Sequence, residues 1–297
     1  MMKILLASDG SKYSEEAAKF LTNFKLSPDD EINILYAVSW VPVLSEWEAL
    51  YADFKEIQDE VVPRIFESTT AVLKPVKAKI STSFKEDYPD KAIVDTSAES
   101  DADLIVMGAR GVRGIGSLIM GSVTKLVAIK SHKPVLIVKA PEIKKSGSFK
   151  VLFATDGSAY SDAVGKVLSS MPFPDNTELT ILNVIPSVFR DIPERFAVEI
   201  NDRIKNIVAD SREKEIKASE KIIDKACKDL SGKFSKIETN IKFGDASMVI
   251  LDEAEAADAD IIAVGTSGMR GLKGILGSVA RYVLNHSRCS VLIARTK

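Results

Sequence analysis

Short apolar runs recur along the chain, each followed by a longer stretch with apolar residues three and four apart. The first run, Met2–Ser8 (MKILLAS), reads as a strand. After it Ala17, Ala18, Leu21 and Phe24 fall at helical spacing, with Ser11 or Ser14 placed to cap the start. Glu31–Val38 (EINILYAV) predicts a second strand. A charged helical region then runs from Glu46 to Lys74, where Pro63 is expected to break or kink it. Val76–Phe84 predicts a third strand and Pro89–Ser100 a helix. Asp103–Met107 reads as the fourth strand, Val123–Ser131 as a helix and Pro134–Val138 as the fifth strand.

Ala140–Ser148 is built from Pro, Lys, Gly and Ser and reads as a linker. The pattern then restarts. Asp156-Gly157-Ser158 repeats Asp9-Gly10-Ser11 at an offset of 147, and Glu178–Ile185 repeats Glu31–Val38 at the same offset. A longer helical region spans Ile192 to Leu230. Asp258–Gly265 repeats Asp101–Gly108, Gly277-Ser278-Val279 repeats Gly121-Ser122-Val123, and Val291–Ala294 closes the second copy. Strands alternating with helices predict parallel sheets covered on both faces. The fold class is therefore α/β: two doubly wound, five-stranded parallel-sheet domains in tandem, with strand order 3-2-1-4-5. The expected boundaries are 1–140 and 149–297, with 141–148 as linker. Such sheets bind ligands past the C-terminal strand ends, where the strand order reverses. That switch lies between strands one and four, so it brings Asp9 toward Gly108, and Asp156 toward Gly265.

Composition narrows the functions. The 297 residues are 45% hydrophobic and 28% charged, with net charge −2. Nothing in that balance favours a polyanion, so no nucleic-acid partner is expected. No run reaches the ~18 apolar residues of a membrane span, and no membrane partner is expected. The N-terminus opens as a strand without a cleavage site, which by exclusion leaves a cytoplasmic location as the expectation. Cys227 and Cys289 read as reduced thiols.

The chemistry concentrates in Gly108–Thr124 (GARGVRGIGSLIMGSVT). Glycines at 108, 111, 114, 116 and 121 allow close backbone approach. Gly121-Ser122 opens a helix, whose free N–H groups and dipole favour an anion. The Ser122 hydroxyl could cap that helix or donate to a phosphate, and Thr124 could add another hydroxyl. Arg110 and Arg113 bring positive charge, and Asp9 on the opposite lip suits a ribose hydroxyl or a base N–H. The pattern reads as a nucleotide site. No Lys follows Gly121, which disfavours a P-loop, and no G-x-G-x-x-G follows strand one, which disfavours a dinucleotide fold. No Cys/His cluster suggests a metal, and no residue stands out as catalytic. His132 and His286 read as surface or helix-end residues, and Trp40 and Trp47 as packing for a loop and helix.

Asp9-Gly-Ser-x-x-Ser14, Asp103-Leu-Ile-Val-Met-Gly108, the G-2x-G-9x-G-S spacing over Gly108, Gly111, Gly121 and Ser122, and Pro134-Val-Leu-Ile-Val138 together resemble the universal stress protein family. The resemblance covers both copies. It implies an adenine-nucleotide α-hydrolase-like fold and two domains facing each other as an intrachain pseudo-dimer through their fifth strands, with a homodimer open to the chain as well. It also implies a stress-response sensor or regulator that binds ATP or AMP, with Mg2+ able to accompany ATP. Carried over, the nucleotide-binding positions are Ala7, Ser8, Asp9, Ala37 or Val38, Met107, Gly108, Arg110, Gly111, Gly121, Ser122, Val123 and Thr124. In the second copy they are Asp156, Val184, Gly265, Gly268, Gly277, Ser278 and Val279.

The second copy departs from the pattern. Eight residues separate Gly268 from Gly277, where nine separate Gly111 from Gly121. Ala280 stands for Thr124 and Ser267 for Arg110. The first copy is therefore expected to bind best. The alternative is a weak ATP hydrolase or nucleotidyl-transfer enzyme of the related α-hydrolase class. Such enzymes grip pyrophosphate with an S-G-G-x-D-S loop, whereas here the place is held by Ser8-Asp9-Gly10-Ser11. A scaffold that binds no nucleotide is a third reading, opposed by the complete first motif.

Overall fold

The computed structural model of the chain describes residues 1–39, 48–111, 120–139, 147–186, 202–268 and 276–295. Its first half runs β1 (Lys3–Ala7), α1 (Lys12–Leu21), β2 (Glu31–Val38), α2 (Glu48–Val72), β3 (Lys79–Glu86), α3 (Pro89–Glu99), β4 (Leu104–Gly108), α4 (Ser122–Lys130) and β5 (Val135–Val138). The second runs β6 (Lys150–Ala154), α5 (Ala159–Ser170), β7 (Glu178–Ile185), α6 (Asp202–Leu230), β8 (Lys236–Phe243), α7 (Ala246–Ala256), β9 (Ile261–Gly265), α8 (Ser278–His286) and β10 (Ser290–Ala294).

The strands form one ten-stranded sheet in the order β3-β2-β1-β4-β5-β10-β9-β6-β7-β8. Each half thus has the expected order 3-2-1-4-5, with parallel neighbours throughout. Among the described residues the one antiparallel pairing joins β5 to β10, with Ile137 opposite Val291 and Val135 opposite Ile293. Central strands are apolar on both faces because helices cover both sides. All five residues of β4 are buried, whereas the edge strand β3 is largely exposed.

One apolar layer lies on the face carrying α1, α2, α5 and α6, and includes Leu6, Leu21, Val106, Phe153 and Ile181. The other, including Leu5, Met107, Val127, Ile262 and Val283, lies on the face carrying α3, α4, α7 and α8. Each layer draws on both halves, so the core is continuous across the β5–β10 seam. Phe24 at the end of α1 packs on Phe149 and Phe173 of the second half, with ring centroids 6.0 and 5.6 Å away. Beside them Lys25 N donates to Pro172 O at 2.7 Å.

Two local expectations change and a third is narrowed to one residue. Pro63 lies inside α2 without ending it. A proline removes one intrahelical bond, and the helix persists because its inner side, with Phe66 and Val72, packs on the apolar layer against α1, β2 and β3. The third strand begins at Lys79 instead of Val76. Val76 N instead closes a turn on Leu73 O at 2.9 Å. β3 takes its limits from eight-residue pairing with β2, and an edge strand's polar outer face leaves no apolar mark of its ends. Ser11 is the cap of α1, its hydroxyl accepting from Ser14 N at 3.3 Å. The linker at 140–146, Trp40, Trp47, the stretch 192–201, and Arg113, Gly114 and Gly116 lie outside the described residues.

The aspartates that open the repeated Asp101–Gly108 and Asp258–Gly265 stretches work at the far end of the sheet. Asp103 Oδ2 accepts from Lys3 N at 2.8 Å, and Asp260 Oδ2 accepts from Lys150 N at 2.8 Å. These carboxylates tie the starts of β4 and β9 to those of β1 and β6, opposite the switch-point crevice.

Candidate functional site

The turn after β1 is held by glycine for two reasons. Gly10 has φ +73°, in the left-handed region, and a Cβ there would lie 2.9 Å from Ile65 Cγ1. Gly157 repeats both features, with φ +74° and Ile222 Cγ1 at 2.8 Å. The turn delivers Asp9 to the crevice, where its Oδ1 accepts from Ser11 N at 3.1 Å. Its Oδ2 faces Gly111 so closely that a Cβ at 111 would lie 2.4 Å from it. Asp156 stands the same way against Gly268, at 2.9 Å. The structure therefore brings together the two lips that the strand order predicted would converge, in both halves.

Gly108 is packed by the fold itself, since a Cβ there would lie 2.6 Å from Tyr13 O in α1. Gly121 differs. A Cβ on it would meet nothing in the described structure closer than Arg110 Cα at 3.4 Å, an ordinary contact. Its φ of −62° suits any residue. Packing does not demand a glycine there, and the open face lies at the start of α4.

That helix start has no side-chain cap, a feature it shares among the described starts with α3 and α8. Ser11, Ser158 and Asp245 cap α1, α5 and α7 with side-chain oxygens, and α3 begins with Pro89. α4 and α8 begin at Gly121 and Gly277 with no side-chain cap and no acidic residue in the first turn. Ser122 is exposed at the first helical position and does not cap, so the capping alternative for it falls away. Val123 follows it, half-buried, as Ser278 and Val279 repeat the pair in α8. Uncapped first-turn N–H groups and the positive end of the dipole suit an anion.

The loop between is stapled at its base. Gly121 N donates to Ala109 O at 2.9 Å, and Ala109 N to Val138 O at 2.8 Å. In the second half Gly277 N donates to Thr266 O at 2.7 Å, and Thr266 N to Ala294 O at 2.9 Å. The one-residue difference in length falls in 269–275, outside the described residues.

Other expected residues take more specific places. Thr124 is buried and its hydroxyl donates to Gly108 O at 3.0 Å, so it braces β4 against α4. Ser8 is buried, its hydroxyl shared with Thr69 at 3.0 Å and Ser14 at 3.3 Å, leaving only its main chain toward the crevice. Ser8 N donates to Leu35 O at 2.9 Å, one residue past the last β1–β2 ladder pair, Ala7 with Leu35. Main-chain direction alternates along a strand, so Ala37 presents its N–H and C=O toward that same side, beyond the end of β1, and Val38 faces β3. Val184 matches Ala37, while Ile185 O accepts from Gly244 N at 3.0 Å on the far side. Met107 is buried beside Ala7 in the ladder. Arg110 Nη1 donates to Tyr13 Oη at 3.1 Å with its guanidinium 5.4 Å from the ring centre.

Two residues at the site and one at the β5–β10 seam were not singled out from sequence. Burial pushes the Tyr36 phenol up, and the neighbouring Asp9 carboxylate acts the same way. Tyr36 also packs on Phe84 at 5.8 Å. In the second half its place is taken by Asn183, whose Nδ2 donates to Thr155 O at 2.7 Å. The copy-to-copy change from Tyr to Asn was the visible signal. The third is Lys139, whose ammonium burial holds down to about 8, with Arg110 adding to that effect and Cys289 opposing it.

Among the described residues no helix is long and apolar enough to cross a membrane, and no group of His, Cys, Asp and Glu could hold a metal ion. Cys227 and Cys289 are free thiols. His286 ends α8, stacked on Tyr282 at 4.0 Å.

The fold and crevice define a tandem α/β protein with an anion-ready helix start at each switch point. The family model described as the universal stress protein family matches residues 1–139 and again 148–295, and the chain belongs to that family. A universal stress protein of Methanocaldococcus jannaschii is 33% identical over 145 residues, covering 47% of this chain and 83% of its own. One of Mycolicibacterium smegmatis is 21% identical over 303 residues, covering 99% of this chain and 97% of its own. A solved universal stress protein from Archaeoglobus fulgidus shares the fold at TM-score 0.62 and 22% identity, covering 99% of this chain and 96% of its own.

Proposed function

We propose that this universal stress protein binds an adenine nucleotide, ATP or AMP, in the crevice between β1 and β4, and acts as a sensor or regulator in a cytoplasmic stress response. The observation that carries the reading is the uncapped start of α4 at Gly121, open in front, beside the Asp9–Gly111 contact. Phosphates are assigned to the first-turn N–H groups of α4 with Gly111, Gly121, Ser122 and Val123, and Arg110 supplies positive charge. The adenosine is assigned to Asp9, the main chain of Ala37, and the β1 and β4 ends at Ala7, Ser8, Met107 and Gly108. Mg2+ would accompany ATP.

The first half is proposed to bind more tightly. Its braced Thr124 and its Arg110 are replaced by Ala280 and Ser267, and Ser267 is buried. Asp156, Val184, Gly265, Gly268, Gly277, Ser278 and Val279 make up the weaker site. The halves are taken as domains 1–140 and 149–297, arranged as a pseudo-dimer about the β5–β10 pair. Mass spectrometry of nucleotide released from the purified chain, followed by calorimetric titration with ATP and AMP, tests the reading. One tight and one weak adenine-nucleotide site is expected. Absence of both, or two equal sites, overturns it.

A further inference from the structure

A cation follows each fifth strand, Lys139 after β5 and Arg295 after β10, and each reaches into the other half. Arg295 Nη2 donates to Ala128 O at 3.2 Å and Ile129 O at 2.8 Å, in the last turn of α4. Lys139 Nζ donates to Leu284 O, to Ser287 O at 3.1 Å and to Ser287 Oγ at 3.0 Å, at the end of α8. Lys139 and Arg295 are equivalent in the two copies, and so are Ala128 and Leu284. The exchange is reciprocal. It follows from the antiparallel β5–β10 pairing, which carries the end of each strand past its own half.

The last carbonyls of a helix have no partner within it, and the dipole places partial negative charge there. Each half's own last-turn basic side chain is engaged elsewhere. Lys130 pairs with Asp90 at 2.7 Å, and His286 Nδ1 lies 2.9 Å from Tyr282 O, one turn back. The crossing residues therefore supply the end caps. α4 and α8 are nine residues each, about 13 Å long. A rod that short is aimed by whatever holds its far end. Its near end is the start at Gly121 or Gly277.

We propose that Arg295 is a positioning residue for the nucleotide site of the first half, and Lys139 for that of the second, so that each site is completed by the opposite half. The inference rests on the adenine-nucleotide reading above for what the helix starts hold. It differs from pairing of the fifth strands alone, which would leave the two sites independent.

Full-length Arg295→Met, Arg295→Lys and Lys139→Met are compared with the wild type by two measurements. Hydrogen exchange without ligand reads the amides of α4 and α8 separately, and calorimetry with Mg2+-ATP and with AMP at pH 7 reads the tight site. Arg295→Met is expected to speed exchange in α4 by about tenfold while α8 stays near wild type, and to weaken the tight site about threefold to tenfold. Arg295→Lys is expected to recover most of both. Lys139→Met is expected to loosen α8 and spare α4. A merely structural role would loosen both helices alike or leave the tight site unchanged once α4 loosens, and either result overturns the proposal, as does α4 exchange unmoved by Arg295→Met. If the wild type binds neither nucleotide, the binding reading fails, and the crossed exchange pattern alone then decides whether these residues aim the helices.

Discussion

The two switch-point crevices share a backbone and differ in their side chains. Both present an aspartate against a glycine that leaves no room for a Cβ, and both staple the glycine loop through one N–H to a carbonyl at its base. Both open onto an uncapped helix start. The first half adds Thr124 bracing Gly108, Arg110 on Tyr13, and the Tyr36–Phe84 pair at the mouth. The second has Ala280 and Ser267 at the first two places and ties Asn183 to Thr155 O at the third. A duplicated chain has to keep the main-chain cradle, because the strand order and the packing of α1 and α5 depend on it. It is free to lose side-chain donors one at a time. The difference in binding is therefore expected to come from side chains, with the fold intact in both halves.

The largest test of that comparison is Gly111→Val. A Cβ so close to Asp9 Oδ2 turns that carboxylate out of its place in the crevice, and ATP binding at the tight site is expected to fall at least about 100-fold, roughly 3 kcal/mol. Gly268→Val should barely change tight binding, and equal losses from the two variants would break the asymmetry. Gly121→Ala comes next. The protein has room for that methyl, so unfolding stability should hold while ATP affinity drops about tenfold, near 1.4 kcal/mol, from the occupied space. Unchanged affinity would mean that no ligand group approaches Gly121.

The seam gives a pH-dependent distinction between the two crossing cations. Lys139 titrates near 8 in the folded chain against about 10.5 when exposed. Its pKa is lowered on folding, so the unfolded chain holds more protons above pH 8 and stability from this group rises with pH there. The unfolding free energy of the wild type relative to Lys139→Met should be flat below pH 8 and climb by roughly 1 kcal/mol toward pH 9. A fall over that window would contradict the burial of the ammonium. The smallest effect concerns the brace on Gly108. Thr124→Ala should cost about 1 kcal/mol in denaturant unfolding through the lost buried hydrogen bond, while Ala280→Thr should return part of that to the second half. No change in either variant would show that the hydroxyl carries no net stability.

Much of this was legible in the chain. Repeated Asp-Gly-Ser turns and apolar runs located the duplication, and β2, β7 and α3 lie close to where periodicity put them. Residue spacing also placed Asp9 and the Gly108 end of the fourth strand on facing lips, because the strand order was constrained by parallel crossovers; the contact with Gly111 came from the structure. The start of β3 and the continuity of α2 through Pro63 were not legible, since an edge strand and a packed proline both depend on neighbours distant in sequence. The same is true of Ser8 turning inward to Thr69 and Thr124 reaching Gly108 O. A hydroxyl's partner is set by which element lies within hydrogen-bond range, and the residue type leaves that open.

By itself the sequence determined the family, the doubled α/β architecture and the positions that could form a main-chain anion cradle, because these depend on local periodicity and on where glycine is tolerated. Only the tertiary structure decided which glycines the packing requires and which remain open, and which of Ala37 and Val38 turns its main chain to the crevice. It alone carried Lys139 and Arg295 across the seam to the other half's helix, because that reach depends on an antiparallel strand pair formed between residues more than 150 positions apart.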